Sequence, residues 1–149
     1  MNLKEELYNQ CLVFIDNRLI TVQNTMQEIQ ESLLSETKSS AGDKHETGRA
    51  MLQLEREKAG NQLAEINKTK ANLVKINIET TSQKIHLGSI VYTTQANYFI
   101  AISAGILTVK NEVFYAISPS TPIAQLLLSK TKGDKITFRT NNFSITKVI

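Results

Sequence analysis

From Tyr8 to Leu33 the apolar side chains fall at Tyr8, Leu12, Ile15, Leu19, Val22, Met26, Ile29 and Leu33, in alternating steps of four and three. That spacing keeps them on one stripe of a helix, as in the seam of a coiled coil. A second run, Leu52, Arg56, Ala59, Leu63, Ile66, Lys70, Leu73 and Asn77, continues the alternation with three polar interruptions. If the second helix folds back along the first, facing residues have numbers that add to a constant. At 85, Leu12 faces Leu73, Leu19 faces Ile66, Val22 faces Leu63, Met26 faces Ala59 and Leu33 faces Leu52. The reflection point then falls between Gly42 and Asp43, within "SSAGDKHETGRA".

Charge favours the same antiparallel pairing. Residues 1–37 carry two basic and six acidic side chains, whereas residues 44–78 carry seven basic and four acidic ones. Glu28 is expected near Arg56, and Asp16 near Lys68 and Lys70, although exposed ion pairs add little each. Arg56 and Lys70 can lay their methylene stems on the seam and keep their charges in water. Thirty-odd residues per helix at about 1.5 Å each make a hairpin about 50 Å long. Two helices alone have no third layer, so a dimerising scaffold competes with a probe that delivers its tip.

The polar stretch "NIETTSQK", residues 77–84, lacks the seam and marks a hinge. Beyond it, "IHLGSIVYTT", "NYFIAIS", "NEVFYAIS", "KITFRT" and "FSITKVI" are rich in β-branched and aromatic residues and are separated by turn formers, which predicts strands. One helix is expected in "STPIAQLLLSK", with Pro122 in its first turn and Ile123, Leu126 and Leu127 on one side. Gly133 in "KGDK" is expected to close that helix. The chain is therefore read as α+β: a coiled-coil hairpin over 1–78 with its tip near 39–46, a linker at 79–83, and a small sheet domain over 84–149.

Several function classes recede on composition. The net charge is +3, with seven basic and two acidic side chains from Lys84 onward, a density that is weak evidence for either a nucleic-acid or an acidic protein partner. "YFIAISAGIL" is too short for a membrane span, which needs about 20 apolar residues. The opening "MNLKEELYNQ" has no signal-peptide pattern, so no export is expected. The single cysteine, Cys11, lies within an apolar helical pattern, which excludes a disulfide framework and points to a reducing, cytoplasmic compartment. Cys11 also lacks the surrounding histidines of a thiol enzyme. Ser118, Ser120 and Thr121 read as caps and turn formers, and His86 as an ordinary side chain alternating along a strand.

The order of these parts resembles the Gre transcript-cleavage factors of bacterial RNA polymerase. "IHLGSIV", "YAISPSTPIAQLLLSKTKGDKITF" and "FSITKVI" are similar to that family's FKBP-like C-terminal domain, through Gly88, Ser89, Ser120, Pro122, Leu126, Leu127, Gly133 and Asp134. At the tip, "GDKHETGRA" places Asp43 and Glu46 on the family's two acidic positions. Thr47 stands where asparagine is usual, and Arg49 and Ala50 replace the usual acidic residue and tyrosine.

The resemblance implies a monomer that binds RNA polymerase and inserts its hairpin into the secondary channel. There Asp43 and Glu46 would help hold a Mg²⁺ shared with the polymerase and position water for cleavage of backtracked RNA. It implies no autonomous cofactor, nascent RNA and DNA as partners only through the elongation complex, and no membrane. Gly88, Ser89, Ser120 and Pro122 are the candidate partner-binding residues. An FKBP-like fold would not by itself bring prolyl isomerase activity. Carboxylates at a helix start also complement the helix dipole and cap free N–H groups. The capping role and a channel-bound regulator that does not cleave remain alternatives, and His45 beside two carboxylates is a weak metal signal.

Overall fold

A computed structural model of the chain describes residues 2–38 and 42–149, and their side chains except those of residues 37, 38 and 42–45. The chain is α+β. Two long helices, α1 (Leu3–Lys38) and α2 (Gly42–Leu73), precede a six-stranded sheet and one short helix, α3 (Pro122–Leu127). Contacts group the chain into two compact units, residues 15–69 and the combination of 1–14 with 70–149.

In the first unit the helices pair along the predicted stripe. Ile15, Ile29, Leu33, Ala59 and Ile66 are buried, and Leu19, Val22, Met26, Leu52 and Leu63 are partly covered. Ile29, Leu33 and Ala59 form one cluster with Met26 and Leu52 against it, so two facing pairs, Leu33 with Leu52 and Met26 with Ala59, lie together as the register requires. A further point comes from Gly48, where an added Cβ would lie 3.5 Å from the Glu36 carboxylate. Arg56, at a seam position, is exposed, in keeping with a charge held in water. A two-helix seam buries only its central stripe, and a long cation there keeps its charge hydrated.

The second unit starts with the first turns of α1, where Leu7 and Cys11 are fully buried. Near its end, α2 stops at Leu73 rather than running on to Asn77. Residues 74–75 and 78–79 form turns, and Ile76 between them is buried. Gly88 shows what its close approach demands. Its φ is +94° and an added Cβ would sit 2.8 Å from Ile76 Cγ2, so only glycine fits.

The strands are β1 (Ile90–Thr93), β2 (Asn97–Ile100), β3 (Gly105–Val109), β4 (Glu112–Ile117), β5 (Lys135–Phe138) and β6 (Asn141–Val148), ordered β3-β4-β2-β1-β6-β5. Only β2 with β4 is parallel; every other neighbouring pair is antiparallel. The strand β3 has no counterpart among the predicted segments. "YFIAISAGIL" reads as one apolar run, but its backbone turns at residues 101–104, and "GILTV" becomes an edge strand. The β3–β4 hairpin turns through Lys110 and Asn111, both with positive φ, as a type I′ turn requires.

On one face, Val91, Tyr98, Ile100, Ile136, Phe143 and Ile145 pack with Ala124 and Leu127 of α3. The buried side of α3 is thus Ala124 and Leu127, with Ile123 partly covered and Leu126 39% exposed. Pro122 opens α3 as expected. The helix is short, however, and ends at Leu128 followed by Ser129 at φ 70°. Gly133 therefore does not close it. Gly133 lies in the next turn, where its N–H donates to Ile145 and Asp134 accepts from the Thr131 N–H at 2.8 Å.

Candidate functional site

The acidic pair at the hairpin lies on α2 itself. Gly42 is the first helical residue, so Asp43 and Glu46 fall in the first two turns, three positions apart and on adjoining parts of the helix surface. Glu46 is exposed. The side chain of Asp43 and residues 39–41 lie outside the described residues, as does the side chain of His45. Arg49, Ala50 and Thr47 are exposed beside Glu46, which puts a guanidinium-bearing residue one turn after the carboxylate. Among the described residues no three His, Cys, Asp or Glu side chains come together as a metal site. Two oxygen donors on one helix suit a hard cation only if other ligands come from elsewhere.

The four residues singled out in the sheet unit separate into two kinds. Gly88 and Ser89 are buried, and their polar atoms are used internally. The Gly88 N–H donates to the Ile100 carbonyl at 2.7 Å, and the Ile100 N–H donates to the Ser89 carbonyl. Ser89 Oγ accepts from the His86 N–H and lies 2.9 Å from His86 Nδ1. These bonds hold the approach to β1. Ser120 and Pro122 are exposed at the start of α3. Ser120 Oγ pairs with Ser118 Oγ at 2.9 Å, and Thr121 Oγ1 donates back to the Ser118 carbonyl at 2.8 Å, so this turn is internally tied before the helix begins.

Two features of the sheet unit have no signal in the sequence. Lys4 is buried and its ammonium donates to the Thr80 carbonyl at 2.8 Å, tying the start of α1 to the segment after α2. Burial holds its pKa below the ordinary lysine value. The second feature is an apolar patch of Ile106, Val113 and Tyr115 on the face shared with α3. Alternation along β3 and β4 would place these residues together, but only once "GILTV" is recognised as a strand.

No family profile matches the chain, and no curated protein matches it. Among solved structures, that of the transcription factor Gfh1 is similar at a TM-score of 0.35 and 18% identity, covering 90% of each chain. No described helix is long and apolar enough to cross a membrane.

Proposed function

We propose that this chain is a Gre-like transcription factor that binds RNA polymerase through its sheet unit and acts through its helical hairpin at the secondary channel. The observation that supports this most is the hairpin register: paired helices carry an acidic pair at the end where α2 begins, with Glu46 open to solvent. Asp43 and Glu46 would be the residues that hold a Mg²⁺ shared with the polymerase, supplying oxygen donors to a cation that keeps much of its water. Such a cation supplies charge stabilisation and water activation during phosphodiester hydrolysis. The chain itself contributes the position of the two carboxylates. Exposed Ile106, Val113 and Tyr115 provide apolar area for docking.

One observation favours a second reading, a regulator that binds the channel without cleaving. Arg49 follows Glu46 by three residues, and Ala50 offers no aromatic ring, so the tip carries less net negative charge than an acidic flank would give it. The two readings part in one experiment: binding of the full chain to its host polymerase, followed by RNA cleavage in a backtracked complex across a Mg²⁺ titration. Binding with Mg²⁺-dependent cleavage supports the first reading, and binding without cleavage supports the second. Failure to bind polymerase removes both.

A further inference from the structure

The sheet ends at β3, and its pairing with β4 fixes which backbone groups point away. The connecting turn has two residues, so Val109 and Glu112 are a hydrogen-bonded pair, and by alternation so are Leu107 with Phe114 and Gly105 with Ala116. The N–H and C=O groups of Ile106 and Thr108 therefore face outward. Two contacts agree with this assignment. Gln10 Nε2 donates to the Thr108 carbonyl at 3.0 Å from beyond the edge. Asn97 donates to the carbonyl of Val113, the residue opposite Thr108, from the β2 side of β4.

Side chains follow the same geometry. On the face shared with α3, one cross-strand row runs from Val91 through Tyr98 and Tyr115 to Ile106. Exposure along it climbs from 0% to 8%, 40% and 63%. Each inner member has a neighbour on its outer side, whereas Ile106, on the edge strand, has none among the described residues. The opposite edge differs, because the α3 face of β5 carries Ile136 and Phe138, both covered, and the exposed side chains of that strand, Lys135 and Thr137, are polar.

We propose that the β3 edge docks an extended peptide segment of a partner protein, which adds to the sheet as a further strand. Its backbone pairs with the N–H and C=O of Ile106 and the N–H of Thr108, and an apolar, β-branched side chain continues the row beside Ile106. Of the regular backbone conformations, the extended one matches this pattern, since a helix has already spent its own N–H and C=O groups. The site is short. Gln10 occupies the Thr108 carbonyl, and the chain before Gly105 turns back on itself through the Ala104 N–H to the Ile102 carbonyl. The inference rests on the sheet unit being the docking module, not on the partner being polymerase.

The test uses the full chain and a soluble probe, acetyl-Lys-Thr-Val-Ile-Val-Thr-Lys-amide, with residue-resolved amide exchange as the readout. The Ile106 and Thr108 amides should exchange freely in the unbound protein and slow by about tenfold or more when the peptide saturates. N-methylation of the peptide's isoleucine should abolish binding. Ile106→Pro removes only an outward N–H, which an edge strand tolerates, and should weaken peptide binding by about tenfold with the melting temperature retained. Should that variant misfold, Ile106→Thr keeps the N–H, uncovers the row, and should still weaken binding several-fold. Perturbation confined to other residues, or full affinity in these variants, overturns the inference. So does concentration-dependent protection of the two amides without peptide, which would mean that a second copy of this chain covers the edge. Peptide binding at the edge by a chain that ignores polymerase would support the inference while removing the polymerase reading.

Discussion

Cys11 reads as part of an apolar helical stripe in the sequence, and the fold holds it inert. It is fully buried, and burial pushes its thiol up to about 12 from an ordinary 9.0, opposed only by a bond to the Ile102 backbone. The folded chain therefore holds this proton where the unfolded chain has lost it. The thiol's contribution to stability is complete below pH 9 and is lost as pH rises toward 12. Burial of Tyr98 acts in the same direction above its ordinary value of 10.0, and Lys4 acts in the opposite one. Comparison with Cys11→Ala isolates the cysteine: the gap in melting temperature between the two proteins should narrow as pH rises above 9. A thiol reagent should modify Cys11 only as fast as the chain opens. Gly88→Ala meets both a positive φ and the Ile76 side chain, so urea unfolding should show a loss of about 1–3 kcal/mol. The need for glycine at 88 was hidden in the sequence because its cause, Ile76, lies twelve residues away in a segment that reads as the end of the second helix. Lys4 was hidden for the same reason, since its partner is a backbone carbonyl that any residue at position 80 would supply.

At the scale of elements, the hairpin was legible because one spacing rule repeats over many turns and the mirrored numbering adds a second, independent condition. What failed to repeat was harder to read. The polar end of the second seam, Lys70 to Asn77, gave no stop signal before Leu73, and the short strand β3 merges in sequence with the apolar run before it. The register makes a direct prediction. In a Cys11→Ala background, cysteines replacing Met26 and Ala59 should crosslink within one chain at low protein concentration, whereas cysteines replacing Met26 and Leu73 should not, as read by non-reducing electrophoresis. Crosslinks between chains would point to the dimeric scaffold instead. Ile29→Ala removes one of the few well-buried seam residues, and thermal unfolding should register a loss of about 2–3 kcal/mol.

On the scale of the whole molecule, the compact units do not follow chain order. Residues 1–14 group with 70–149, because Leu7, Cys11 and Leu73 are fully buried and Lys4 is tied to Thr80. A fragment starting at residue 84 would lack all of these, whereas replacing residues 15–69 by a short Gly/Ser turn leaves the second unit's own contacts in place. The hairpin-less protein should melt cooperatively by circular dichroism, and the 84–149 fragment should not. If the sheet unit docks and the hairpin acts, the hairpin-less protein should retain binding to polymerase and have no effect on RNA cleavage. The acidic pair can then be separated from the hairpin that carries it. Asp43→Asn with Glu46→Gln keeps size and removes two negative charges, so binding should persist while Mg²⁺-dependent cleavage falls sharply. A loss of helicity in that variant would assign the carboxylates to capping and the helix dipole. If the unaltered chain binds without cleaving, Ala50→Tyr and Arg49→Glu restore the flank that this tip lacks, and cleavage gained by that pair of changes would place the difference between the two readings in the second turn of α2.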